Sequence, residues 1–392
     1  MQHLHKKKEG QKIYPEILLF AAAVIGVTVQ KGIISGHPGN FLLFRETFHR
    51  LISGVDIYHP PAGEMSFFLY SPVFPLIFAP FAVLPLAIGL LLWNAVNAFA
   101  LYSGISQLLP ARAARIALLI VFLDLLRSLQ NSQSNGVVAG LIVLAFVALE
   151  RERSAAGAAA ILAGFFIKIY PLGAGVLGLI RPRPWRFLGL SVALGLLFAA
   201  LPLIVLPPAG VVAIYREWLS ILQRDSTWQG QSVMRLLSVV LGSNVPTWPI
   251  EAAGTLLLLA PLIAQRTRWS DAAFRLRWLC SLLVFFVVFN HQAESASFVV
   301  SSTGLAIWYA TSDRAPWRTA LVGLMLVVES LPHLFFIPAE VYNHVIYPNA
   351  LDIIPCLLLW LVIQVELWRA APSRPARDEE DVSSGEALTH LA

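Results

Sequence analysis

Asp56 is the residue whose surroundings most suggest chemistry. It lies in the stretch Asn40–Tyr70 (NFLLFRETFHRLISGVDIYHPPAGEMSFFLY), which also carries Arg45, Glu46, His49, Arg50 and Glu64 between two long apolar runs. Four other polar features stand far from it along the chain: Gln130–Asn135 (QNSQSN), Lys168-Ile169-Tyr170-Pro171, Arg224–Arg235 and Asn290-His291. One carboxylate among cations suits transfer of a group away from a phosphate. The carboxylate takes the proton of an acceptor hydroxyl. Lys, Arg and His stabilise the departing phosphate as its charge grows. No second acid in DxD spacing accompanies Asp56, so the pattern requires no metal.

The elements that must position these groups are membrane helices. Of 392 residues, 57% are hydrophobic and only 13% are charged, against about 25% charged in soluble domains. Mean hydropathy is +0.70. Several runs reach the roughly 20 apolar residues a spanning helix needs, and the short alternating segments of a β-barrel are missing. The net charge of +5 is spread over short clusters between apolar runs, as membrane topology demands, so no nucleic-acid partner is implied. Cys280 and Cys356 fall in apolar runs and read as small core residues. No CxxC, HExxH or glycine-rich phosphate loop is present, and Pro15–Ile34 reads as a span rather than a cleaved signal.

Basic clusters set the expected topology. Lys6, Lys7, Lys8 and Lys12 hold the N-terminus in the cytoplasm. Alternation of Arg112/Arg115, Arg151/Arg153, Arg181/Arg183/Arg186, Arg266–Arg277 and Arg314–Arg318 with polar turns then gives about twelve crossings with both termini cytoplasmic. Pro80 and Pro85 are expected to break Ser71–Leu109 into a shorter and a longer helix. Lys168 is expected at the outer end of a hairpin between Ala155 and Ile180, and Pro207–Pro249 as a second outer loop. Phe41, Phe44, Phe48, Leu51 and Ile52 recur at helical spacing opposite Arg45, Glu46, His49 and Arg50, which predicts an amphipathic interfacial helix ending at Ser53-Gly54. Residues 1–368 form the transmembrane domain, and 369–392 read as a disordered, acid-rich cytoplasmic tail.

Each polar feature has an ordinary structural reading. Asp56 could cap a turn, Lys168 could snorkel to the interface, Gln130–Asn135 could be a solvated turn and His291 a loop histidine. The topology nonetheless delivers all of them to one membrane face, where buried polar groups normally face a cavity. Aromatic residues such as Trp93 and Trp308 could hold a lipid chain there. A transporter or lipid-carrier flippase is the alternative. It would place polar groups nearer the bilayer midplane and often shows paired repeats, and none is evident.

The order of motifs resembles the GT-C glycosyltransferases, and within them glycosyltransferase family 87, which uses polyprenyl-phosphate mannose. The resemblance runs through Gly54-Val55-Asp56-Ile57-Tyr58, Tyr70-Ser71-Pro72-Val73-Phe74, Leu84-Pro85, Trp93-Asn94, Gln130–Asn135 and Phe166-Ile167-Lys168-Ile169-Tyr170-Pro171, and extends to Asn290-His291. The polar turn departs from the family's Gly-Gln-x-Asn, and Phe-Asn-His-Gln stands where Trp-x-His-His is common. The resemblance implies an all-α GT-C fold and catalysis on the extracytoplasmic side of a bacterial inner membrane. It implies an inverting transfer, here expected from a polyprenyl-phosphate sugar to a lipid or glycan hydroxyl; a monomer without cofactor or metal is expected. It matches Asp56 to the catalytic aspartate. Lys168, His291, Arg45 and Arg224 are expected to bind the donor phosphate. His49, Tyr58, Gln130, Asn131, Asn135, Tyr170 and Asn290 are expected to line the substrates.

Overall fold

A computed structural model describes residues 15–59, 67–224, 228–334 and 338–369. Lys6, Lys7, Lys8, Lys12, Pro60, Pro61, Glu64, Asp225 and the tail beyond Arg369 lie outside the described residues. Among the described residues the chain is helical, without β-strands. In order these are α1 (Pro15–Thr28, continued as a π-helix over Val29–Ile34), α2 (Asn40–Ile52), α3 (Phe74–Ala82), α4 (Leu86–Leu108), α5 (Ala111–Gln130) and α6 (Asn135–Glu150). Next come α7 (Ser154–Ile167), a 3-10 turn (Tyr170–Gly175) leading to α8 (Val176–Leu179), α9 (Pro184–Ala199), α10 (Pro208–Arg224), α11 (Val233–Leu241) and α12 (Thr247–Ala264). The last are α13 (Ala272–Val288), α14 (Phe298–Ala310), α15 (Pro316–Met325), α16 (Ala339–Val341) and α17 (Ile353–Arg369).

The core forms where α4 packs on α6, α6 on α7, and α14 between α5 and α13. Small residues let backbones meet. A Cβ placed on Gly140 of α6 would lie 2.4 Å from the backbone carbonyl carbon of Ala100 in α4. Gly140→Val must therefore push the two helices apart, at about 1–3 kcal/mol for overpacking. Its midpoint of thermal inactivation is expected well below that of wild type. Gly26→Ala, whose new methyl would meet nothing within 4 Å, is expected to match wild type in the same measurement.

Among the described residues four stretches are long and apolar enough to cross a bilayer: Pro15–Ile34, Leu86–Leu108, Pro184–Ile204 and Thr247–Ala264. Asn135–Glu150, Ser154–Ile167 and Tyr170–Leu179 are apolar but shorter. The nine-residue α3 extends only about 13 Å, under half of a ~30 Å hydrocarbon core, so of α3 and α4 only α4 has spanning length. Pro80 stays inside α3. The break falls at Pro85, whose extended backbone (φ −50°, ψ 142°) cannot continue a helix.

The helices carry two different ends. At one, Glu150 accepts Arg181 (2.8 Å) and Arg275 (2.7 Å), and Glu366 accepts Arg277 and Arg318 (2.7 Å each). Arg115 pairs with Glu16 there too, and Arg151 donates to Gln107 at 3.0 Å. At the other, Asn131 accepts from the Asn40 backbone (3.1 Å), and Ser71 donates to the Phe166 carbonyl. The hairpin is visible between these ends: α7 stops at Ile167, Lys168 is extended (φ −137°, ψ 144°), and the chain returns to Arg181 on Glu150.

Two elements differ from the expectation. The apolar stripe of α2 does not face lipid: Phe41, Phe44, Phe48 and Leu51 are buried, with the Phe44 ring 4.9 Å from Phe74 and 5.4 Å from Phe78. Ile52, expected in that stripe, is exposed instead. The second outer loop folds largely into α10 and α11, because its apolar residues keep helical spacing. Trp218 and Ile221 bury one face of α10, and the Trp218 indole N–H donates to the Leu69 carbonyl at 3.1 Å.

Candidate active site

The chain leaves α2 through Gly54, whose φ of +69° lies in the region glycine enters without steric cost. Asp56 follows at once. Its Oδ1 accepts the backbone N–H groups of Tyr58 (2.8 Å) and His59 (3.2 Å), so it does cap a turn. Its Oδ2 lies 3.1 Å from His59 Nδ1, and the side chain remains 52% exposed. Arg224, at the end of α10, reaches His59 Nε2 at 3.1 Å. An arginine can only donate. Donation by Arg224 makes His59 Nε2 the acceptor and leaves the ring proton for Nδ1, facing Asp56, with Glu217 Oε2 also 3.9 Å from Nε2. Arg224, His59 and Asp56 thus form a directed chain, joining the first loop to α10.

Burial alone would raise the Asp56 carboxyl, but the two backbone N–H groups and the His59 ring outweigh it and hold it below its ordinary value. The group is a carboxylate at neutral pH.

A polar floor lies one step further in. Tyr58 donates its hydroxyl to the Tyr70 carbonyl at 3.0 Å. The Tyr70 hydroxyl donates to Gln133 Oε1 at 3.0 Å, and Gln133 Nε2 donates to Glu294 Oε1 at 2.5 Å. Lys168 Nζ sits 5.8 Å from the centre of the Tyr70 ring. Glu294 acts electrostatically on Lys168, Arg127, Tyr70 and Tyr170. Burial raises the Tyr70 hydroxyl far above its ordinary value, and Glu294 adds to that. Tyr70 is therefore a neutral donor; the charge of Glu294 acts on both Lys168 and Arg127, and Arg127 donates to Ser295 Oγ beside it at 3.2 Å.

Of the residues expected at the site, Asp56 and Arg224 meet at His59, and Tyr58 and Lys168 both meet Tyr70, whereas Tyr170 packs its ring on Phe286 at 4.9 Å with its hydroxyl buried. Arg45 is elsewhere, donating to the Ala82 carbonyl at the end of α3 (3.1 Å), and His49 packs its ring on Phe48. The arginine that does reach the Asp56 segment is Arg50, through the Asp56 carbonyl at 3.0 Å; it also lies 3.9 Å from Glu46. Asn131 and Asn135 hold the backbone, Asn131 donating to the Arg127 carbonyl and Asn135 to the Ala296 carbonyl. Gln130 ends α5, partly exposed. Asn290 caps its own turn through the Gln292 N–H (3.0 Å), and His291 pairs with Glu251 of α12 at 2.5 Å. Trp93 and Trp308 are sealed in the core and offer no lipid-facing ring. The Trp93 indole donates to the Ser132 carbonyl, and that of Trp308 to Glu366 at the arginine end.

The members the sequence reading missed are His59, Tyr70, Gln133, Arg127 and Glu294. Glu294 had a usable signal: it is the one acid in the short polar turn Asn290–Ser295. Arg127 had none, since it reads as part of an arginine-bearing apolar helix.

The family model for glycosyltransferase family 87 matches residues 68–290, which is more than half of the chain. This chain belongs to glycosyltransferase family 87. It is a membrane glycosyltransferase. No curated protein matches it. The family 87 match contains Gln130, Gln133, Lys168, Tyr170 and Arg224 and closes at Asn290. Asp56 and His59 precede the matched range, while His291 and Glu294 follow it.

Proposed function

We propose that this glycosyltransferase moves a hexose from a polyprenyl-phosphate donor to a hydroxyl of a lipid or glycan acceptor, with inversion. Mannose is the sugar the family resemblance favours. Asp56 removes the acceptor hydroxyl proton. The acceptor oxygen bonds to the anomeric carbon, and the bond from that carbon to the phosphate oxygen breaks. Polyprenyl phosphate leaves with the electron pair. Lys168 takes the growing phosphate charge, with Arg224 near the base, while Tyr70 and Gln133 offer hydrogen bonds to sugar or phosphate oxygens. The observation that carries this reading is the open Asp56 carboxylate, linked through Tyr58 to a floor that holds Lys168. The reaction runs without metal, in a monomer at the outer face of the inner membrane with both termini cytoplasmic.

The test is transfer by the purified protein from synthetic polyprenyl-phosphate mannose, in parallel with GDP-mannose, with and without EDTA. Transfer of mannose from the lipid donor alone, unchanged by EDTA and with inverted anomeric configuration, is expected. Transfer from the nucleotide sugar instead would refute the donor assignment.

The Arg224–His59–Asp56 chain gives a pH prediction. The Asp56 pKa is held low, so activity that uses the carboxylate persists to pH values below the ordinary carboxylate range and is lost as pH falls further. His59→Ala removes the ring but keeps the backbone N–H. The acid limb of kcat/KM is expected to move upward, towards the ordinary carboxylate value. An unmoved limb would show that the His59 ring does not tune the base.

A further inference from the structure

A second opening lies at the arginine end of the molecule, the end opposite Asp56. It is a cavity of about 720 Å3 between α13, α15 and α17. One wall is apolar: Leu358, Leu361, Val362 and Val365 line it from α17, at spacings of three and four that make one helical stripe. The other wall is cationic, with Arg268, Arg277, Arg318 and Arg369 set against a single lining carboxylate, Glu366. Glu366 is already engaged by three donors: Arg277, Arg318 and the Trp308 indole. Arg268 also pairs with Asp271 and Arg318 with Asp313, while Arg277 donates to Ser312 as well. Nε of Arg268 and Nε of Arg318 are buried without a hydrogen-bond partner, and Arg369 stands exposed at the end of α17.

An apolar stripe that runs into four lining arginines, one of them exposed and without an ion pair among the described contacts, fits an amphiphile with an anionic head. We propose that this groove binds an anionic diacyl phospholipid, its phosphate on Arg277, Arg318 and Arg369 and one acyl chain along Leu358–Val365. Basic pockets between membrane helices are suited to such headgroups. A free phosphate would use only the cationic wall and leave the stripe uncovered. A zwitterionic lipid would bring its own cation against the arginines. The site shares no residue with the Asp56 region, so it stands or falls independently of the proposed reaction.

The experiment is native mass spectrometry of the full chain in mild detergent, with equimolar phosphatidylglycerol and phosphatidylcholine of the same acyl chains. Preferential retention of phosphatidylglycerol is expected. Each arginine charge near a headgroup is worth about fivefold in affinity, so Arg369→Gln and Arg277→Gln should each reduce retention by about that factor. Arg369 has no ion pair among the described contacts, so its variant is the one expected to keep the fold. Three results would overturn the proposal. Equal retention of the two lipids is one, and wild-type retention by both variants is another. The third is displacement of phosphatidylglycerol by millimolar glycerol phosphate, which would make the groove a soluble-anion site.

Discussion

Asp56→Asn is expected to reduce sugar transfer by about 10²- to 10⁴-fold, the range that general base catalysis contributes, while leaving donor binding intact. The substitution keeps size and keeps an oxygen to accept the Tyr58 and His59 backbone N–H groups. The turn that places residue 56 therefore survives. What is lost is the proton acceptor. The new amide can also turn its nitrogen to His59 Nδ1, where two donors would face each other. His59 would then rotate or change tautomer, and Arg224 would lose its acceptor. The loss can thus exceed that of the base alone, and adding His59→Ala to Asp56→Asn should cost little more. Glu294 and Glu217, the latter 3.9 Å from His59 Nε2, are competing carboxylates within the described residues, and Glu64 is the competitor in the first loop. Turnover by purified wild type, Asp56→Asn, Glu294→Gln, Glu217→Gln and Glu64→Gln decides between them. Near-wild-type rates in Asp56→Asn, with collapse in one of the glutamine variants, would move the base to that glutamate. Glu294→Gln is expected to act mainly on KM, because Glu294 is already held by Gln133 at 2.5 Å, on the polar floor rather than at the open mouth.

The local features of this site were legible in the sequence because local chemistry sets them. The spacing of Phe41, Phe44, Phe48 and Leu51 makes α2, and Gly54 supplies the positive-φ residue past its end. Pro171 with two glycines beyond it prevents one continuous helix, which leaves Lys168 at a break. The arginine clusters gather at one end because charged groups are excluded from hydrocarbon. Packing partners were not legible. The stripe of α2 reads equally well as lipid-facing or as core, and only its contact with Phe74 and Phe78 decides for core. The pairing of Gln133 with Glu294 joins residues far apart in sequence, so nothing near either residue announces it. For the same reason the sequence marks the whole turn Gln130–Asn135 as polar but does not show that Asn131 and Asn135 hold backbone while Gln133 reaches the site. Arg45 and Arg50 show how narrow the margin is. Five residues apart on one helix, they point in different directions, Arg45 to the end of α3 and Arg50 to the Asp56 carbonyl.

Lys168→Ala is expected to weaken binding of the lipid-phosphate donor by roughly 10- to 100-fold, which corresponds to one hydrogen bond to a charged group. Lys168 stands where α7 ends, with its ammonium against the face of Tyr70. The negative charge acting on it is that of Glu294, which is shared with Arg127. Lys168 brings its ammonium to the floor beside Tyr70, so a phosphate entering there meets a positive charge. Removing Lys168 leaves Arg127 and Glu294 to neutralise each other, and the attraction for the anion is lost. Lys168→Arg should retain much of it, since an arginine also donates to phosphate, although its planar head fits the Tyr70 face differently. A purely structural lysine would behave otherwise: Lys168→Ala would lower the thermal midpoint, and donor affinity would follow stability in both variants. The measurement is binding of a fluorescent polyprenyl phosphate to wild type, Lys168→Ala and Lys168→Arg at matched folded fraction. Unchanged affinity in Lys168→Ala would remove the residue from the phosphate site. The same loss in Lys168→Glu and Lys168→Ala would point to packing on Tyr70 rather than charge as its contribution.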